Sequence, residues 1–153
     1  MIRITEQPLQ IPQAVSDFEK CAAGAGAIVT FSGLVRPQSA EGDVAILHLQ
    51  AYTPMTENGI RQAVEEAREK WSLTAVHVIH RIGDMVPGEP IVFVATASPH
   101  RRAAFEAADF LMDYLKTEAV FWKKEVTASE TRWIEPRAED YRDRCRWKHK
   151  EES

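Results

Sequence analysis

Residues 98–116 read SPHRRAAFEAADFLMDYLK, and residues 120–126 just after them read VFWKKEV. The first run predicts a helix, with Ser98 as its cap and Pro99 in the first turn, where a missing N–H costs nothing. Ala104, Ala108, Leu111 and Leu115 recur at helical spacing, flanked by Phe105 and Met112, so one face is built for burial. Lys116 closes the helix. The second run is β-branched and aromatic, which predicts a strand.

The helix fixes a distance. Sixteen residues at 1.5 Å each put His100 about 24 Å from Lys116. His100 and Arg101 can be solvated first-turn residues, with Lys116 a favourable cation at the helix end. If they are functional instead, they do separate jobs within a chain, or a second subunit brings its own His100 beside the first chain's Lys116, as a two-fold dimer would.

Upstream, Ile91–Ala97 is a continuous apolar strand leading straight into the helix. It follows an alternating strand, Leu73–His80, after only a turn region that contains Pro87-Gly88-Glu89-Pro90. In the Leu73 strand, Val76, Val78 and His80 share one side, and Ala75, His77 and Ile79 the other. A further helix runs from Thr56, with Ile60, Ala63, Val64, Ala67 and Trp71 on one face. Val44–Tyr52 is a strand, and Thr131–Ile134 adds an edge. The order from Val44 is strand, helix, strand, strand, helix, strand, so helices pack on a mainly antiparallel or mixed sheet in an α+β fold.

The first third is less patterned. Ile2–Thr5 is an edge strand, and Ala14, Val15, Phe18 and Cys21 or Ala22 share the face of a short helix. Ala27–Phe31 is a compact strand. Gly24 and Gly26 precede it and lack the spacing of a nucleotide-binding loop. Arg36 stands at the root of the polar loop Pro37–Asp43, a position from which a rigid strand can present one cation to a ligand.

A chain of 153 residues with 44% hydrophobic content predicts one domain over residues 1–153, ending in a polar tail over 137–153. The formal charge of −4 and the mixed charges of the tail argue against nucleic-acid or membrane binding. Cys21 and Cys145 lack metal-site spacing and read as reduced thiols. His48, His77, His80, His100 and His149 form no close cluster with other ligands, so no metal is expected. Met1–Gln13 has neither a basic leader nor an apolar segment, and the expected location is the cytoplasm.

The chemistry rests on cations. Arg36, His100, Arg101, Lys116, Lys123 and Lys124 are the groups an anionic or phosphorylated substrate requires. On an ideal strand Lys123 shares a side with Phe121 and Glu125, and Lys124 faces the other way, so one lysine of the two meets a pocket. No serine or cysteine nucleophile and no acid/base dyad stands out. These residues support an anion-handling site and name no reaction.

A family resemblance adds the reaction. Phe31-Ser32-Gly33-Leu34-Val35-Arg36, Tyr52 with Met55, His80-Arg81-Ile82-Gly83, Ser98-Pro99-His100-Arg101 with Ala104-Phe105, and Leu115-Lys116 through Phe121-Trp122-Lys123-Lys124-Glu125 together resemble the large, catalytic subunit of molybdopterin synthase. The likeness runs from about Ala27 to Trp133, with departures at Gln50, Val120 and the 37–43 loop. It implies an α/β-hammerhead type of fold and a central homodimer, each subunit of which binds a small ubiquitin-like sulfur carrier. The carrier's C-terminal Gly-Gly thiocarboxylate passes sulfur to cyclic pyranopterin monophosphate, forming the dithiolene of molybdopterin with no cofactor. Carried onto this chain, the resemblance makes Lys116 and Lys123 catalytic and substrate-binding. It makes Arg36, His100 and Arg101 anion-binding, with the His-Arg pair supplied across the dimer. A noncatalytic scaffold of the same fold that binds the carrier is the alternative.

Overall fold

A computed structural model describes residues 1–39, 42–128, 130–134 and 138–147. In chain order the elements are β1 (Ile2–Thr5), α1 (Ile11–Cys21), β2 (Ala27–Leu34), β3 (Gln38–Ser39), β4 (Gly42–Ala51), α2 (Met55–Lys70) and β5 (Ala75–Arg81). They continue with β6 (Gly83–Met85), β7 (Pro90–Ser98), α3 (Arg101–Thr117), β8 (Phe121–Thr127), β9 (Thr131–Ile134) and α4 (Ala138–Cys145). The expected α+β architecture is present, but the strands divide between two sheets. One is four-stranded in the order β1-β5-β7-β2, and the other is five-stranded, running β3-β4-β8-β9 with β6 also paired to β4. Sequence alternation cannot make this division, because it reports which side of a strand is buried and not which strand lies alongside.

The four-stranded sheet is covered on both faces. Val92 and Val94 of β7 join Val76 and Val78 of β5 under α2 and α3, with Ile60, Ala67, Phe110 and Leu111. On the other face Phe93, Ala95 and Ala97 pack with Ala75, Ile79 and the α1 residue Phe18. Two buried faces explain why β7 reads as an unbroken apolar run. A third cluster, Val35, Leu47, Leu49 and Met85, lies where β4 and β6 approach the end of β2.

The start of α3 corrects the sequence reading. β7 runs on through Ser98, which pairs with Ala27 of β2, so Ser98 belongs to the sheet. His100 is the residue that precedes the helix, with φ −129° and ψ 146°. Ser98 Oγ still accepts the backbone N–H of His100 at 3.3 Å. Ala104, Ala107 and Ala108 are buried and let α3 lie close to the sheet, where Thr96 Oγ1 donates to the Ala104 carbonyl at 2.6 Å.

Within the stretch read as a polar tail, α4 packs on α3. Trp147 is 4% exposed and donates Nε1–H to Asp113 Oδ2 at 2.6 Å, while its ring meets Trp71 and Phe110 edge-on. Arg146 bonds to both Asp109 and Asp113, and Arg144 bonds to Glu118. These partners come from α3 and from Glu118 just past its end, about 30 residues away, and composition alone gives no sign of them. The remainder of that stretch, residues 137 and 148–153, lies outside the described residues.

Candidate active site

Lys116 and Lys123 converge because the chain turns sharply between them. The backbone N–H groups of Glu118 and Ala119 both bond to the Tyr114 carbonyl, which ends α3 and sends the chain into β8 after three residues. Thr56 Oγ1 on α2 donates to the Val120 carbonyl at 2.7 Å and fixes that link. Strand alternation then decides between the two adjacent lysines. Phe121, Lys123 and Glu125 line a cavity of about 320 Å³. Lys124 lies on the opposite side, with its Nζ 5.4 Å from the centre of the Trp133 ring.

The cavity sits between the two sheets and the end of α3. Phe31, Gly33 and Leu34 of β2, Leu47 and Leu49 of β4, and Met112 and Leu115 of α3 give it one apolar wall. Arg36, Lys116 and Lys123 bring three cations to it, His80 adds an imidazole, and Glu125 and Asp140 add two carboxylates. Gly33 is there for want of space: a Cβ would stand 2.8 Å from Val92 Cγ1 and 3.3 Å from the Phe31 ring.

Electrostatics single out Lys123. Burial, then the charge of Lys116, bring its pKa from 10.5 down to about 8; Arg36 pushes the same way, while Glu125 and Asp140 oppose. The amine is therefore poised between charged and neutral forms near physiological pH. Glu125 is 8% exposed, and its Oε2 has no hydrogen-bond partner among the described residues. A buried carboxylate oxygen of that kind is a ready acceptor for a ligand or for an ammonium that swings toward it. Among the described residues no group of three His, Cys, Asp or Glu side chains could hold a metal ion, and no helix is long and apolar enough to cross a membrane.

Of the five site residues drawn from the sequence, the fold brings Arg36, Lys116 and Lys123 to one cavity. His100 and Arg101 are exposed at the far end of α3 and do not line it. The reading of single residues missed His80, Glu125 and Asp140. Alternation already placed Glu125 beside Lys123, and that signal could have promoted it. Asp140 had none, because its place depends on how α4 docks.

Fold and cavity together define an α+β protein with a pocket lined by three cations. The chain belongs to the MoaE family, whose model matches residues 4–118. The molybdopterin synthase catalytic subunit of Vibrio cholerae is 49% identical over 133 residues, covering 86% of this chain and 89% of that protein. The corresponding Caulobacter vibrioides subunit is 46% identical over 147 residues, 96% of this chain and 97% of its own length. Among solved structures, the molybdopterin biosynthesis MoaE protein from Burkholderia ambifaria superposes with a TM-score of 0.82 at 37% identity, over 96% of this chain and 97% of that one.

Proposed function

We propose that this chain is a sulfurtransferase: it takes sulfur from the C-terminal thiocarboxylate of a small ubiquitin-like carrier and places it on cyclic pyranopterin monophosphate, forming the molybdopterin dithiolene. The observation that carries this reading is the gathering of Arg36, Lys116 and Lys123 in one cavity with an apolar wall. The apolar wall suits an extended Gly-Gly tail, which has no side chains to accommodate. The cations suit a phosphate and a thiocarboxylate. Lys116 stabilises the negative charge that develops at the carrier's terminal carbonyl. Lys123, titrating near the working pH, binds the substrate and moves a proton. Cys21 and Cys145 are exposed, neither lines the cavity, and neither is needed as a sulfur relay.

His100 and Arg101 enter the same reading through a homodimer. β2 is an edge strand of its sheet, with Ile28, Phe31 and Leu34 exposed along it. Its first residue pairs with Ser98, so His100 lies just beyond its start, and Arg36 lies two residues beyond its end. Two such strands paired antiparallel about a two-fold axis set the start of one beside the end of the other. One chain's His100 and Arg101 then stand by its copy's Arg36 and help hold the substrate phosphate.

The test is to mix the purified protein with thiocarboxylated carrier and cyclic pyranopterin monophosphate and to look for the dithiolene product by mass spectrometry. Product formation supports the reading. Carrier binding without product, beside a competent control enzyme, favours the noncatalytic scaffold.

A further inference from the structure

His80 is a histidine in an unusual place. It is 7% exposed at the end of β5, lines the cavity, and stacks on Phe121 with ring centroids 4.2 Å apart and planes 27° from parallel. Its Nδ1 lies 2.9 Å from the Arg81 carbonyl oxygen. A carbonyl only accepts, so Nδ1 carries the proton and Nε2 is left with the lone pair. The ring is thus a rigid, uncharged acceptor set into a wall shared with three cations.

Lys116 and Lys123 are the two cations whose charge acts on the ring, and the stack ties it to the strand that carries Lys123. Phe121 and Lys123 are two residues apart on the same side of β8, about 7 Å along the strand. A lysine side chain is long enough to cover that distance; in the conformation seen, the Lys123 charge acts on the ring without a hydrogen bond. We propose that His80 is a positioning residue for Lys123, its Nε2 accepting a hydrogen bond from the lysine ammonium and so keeping that charge in the cavity at neutral pH. The proposal deepens the sulfur-transfer reading and takes the role of Lys123 from it.

The surroundings explain why an imidazole suits this post. Lys116 from α3 and Arg36 from the end of β2 push the proton off Lys123, while Glu125 of β8 and Asp140 of α4 hold it on. An acceptor without charge adds to the second group and leaves the net charge of the site alone. Burial, with smaller contributions from Lys116 and Lys123, brings the pKa of His80 itself to about 4, against the pull of the Arg81 carbonyl. The ring therefore never becomes a fourth cation at working pH. Its flat faces fill the apolar wall as a third carboxylate could not.

The test needs neither carrier nor pterin. Protein labelled with [ε-13C]lysine is titrated by NMR, with the Lys123 resonance assigned from its loss in Lys123→Ala. His80→Phe keeps a flat ring for the stack and removes the acceptor, whereas His80→Gln keeps an acceptor. Removing an acceptor of the charged form lowers the lysine pKa, so the Lys123 midpoint should fall by about one pH unit in His80→Phe. In His80→Gln it should stay within about 0.3 of the parent. An unchanged midpoint in His80→Phe, or an equal fall in both variants, overturns the proposal. Should His80→Phe fail to fold, His80→Leu takes its place with the same two outcomes. In turnover, the alkaline rise of KM for the anionic substrate should move by the same amount in the acceptor-free variant, a readout that a purely structural role would leave in place. Absence of sulfur transfer leaves the titration meaningful, and a failed titration leaves the sulfur-transfer reading standing.

Discussion

Replacing Lys123 by methionine should stabilise the fold while abolishing turnover. Methionine keeps the length of the apolar stem and removes the charge. The fall of the Lys123 pKa from 10.5 to about 8 means that the folded chain carries the ammonium less readily than the unfolded chain does. At about 1.4 kcal/mol per pKa unit this amounts to about 3.5 kcal/mol at neutral pH, with the attraction to Glu125 already included. Below about pH 8 both states are protonated and the whole cost is present. Between about 8 and 10.5 the folded chain has released the proton and the unfolded chain has not, so the parent gains stability as pH rises through that window. Lys123→Met lacks that gain, and the two proteins should converge by about pH 10.5. Scanning calorimetry at pH 7, 8.5 and 10 measures the difference directly. At pH 7 the variant should melt about 7 to 14 °C above the parent. A variant that melts at or below the parent at pH 7, or a gap that does not narrow with pH, would mean that the fold carries no penalty for the Lys123 charge.

Trp147→Ala removes a buried indole and its bond to Asp113, and should cost about 3 to 5 kcal/mol in urea unfolding; a loss below about 1 kcal/mol would mean that Trp147 does not anchor α4. Mixing a His100→Ala/Arg101→Ala chain with a Lys116→Ala chain, each inactive alone, should restore about a quarter of parental turnover after subunit exchange, since half the dimers are mixed and each of those holds one intact site. No recovery, despite mixed dimers seen by native mass spectrometry, would place the His-Arg pair outside the shared site. For the parent, KM for the anionic substrate should climb as pH passes about 8 and Lys123 loses its charge, whereas a flat profile from pH 7 to 9 would remove Lys123 from substrate binding.

Much of this site is legible in the sequence alone, for reasons that differ from residue to residue. The 3.6-residue period of Ala104, Ala108, Leu111 and Leu115 fixed the length of α3 and, with it, the separation of His100 from Lys116. The two-residue period of β8 put Lys123 and Glu125 on one side and Lys124 on the other. Both are local repeats, and local repeats survive in a sequence. The start of α3 was misplaced by two residues because Ser98 suits a helix cap, but pairing with Ala27 across the sheet outweighs that preference. The split into two sheets, the pairing of β6 with β4, and the docking of α4 through Asp113 and Glu118 all depend on contacts between distant segments. His80 shows the limit most plainly. Its neighbours in sequence are strand residues, and only the folded chain sets it against Phe121, 41 positions away.

Arg36, Lys116 and Lys123 are proposed to act together on one substrate in one cavity. Single-turnover sulfur transfer, with parent, Arg36→Ala, Lys116→Ala and Lys123→Ala proteins each presaturated with thiocarboxylated carrier, tests it most directly. Rapid quench followed by mass spectrometry of the pterin products gives the rate. Dithiolene should form with the parent, and the rate should fall at least about a hundredfold in each folded lysine variant, with a smaller loss that extra pterin offsets for Arg36→Ala. Parental rates from both lysine variants would contradict it and move the chemistry out of this cavity.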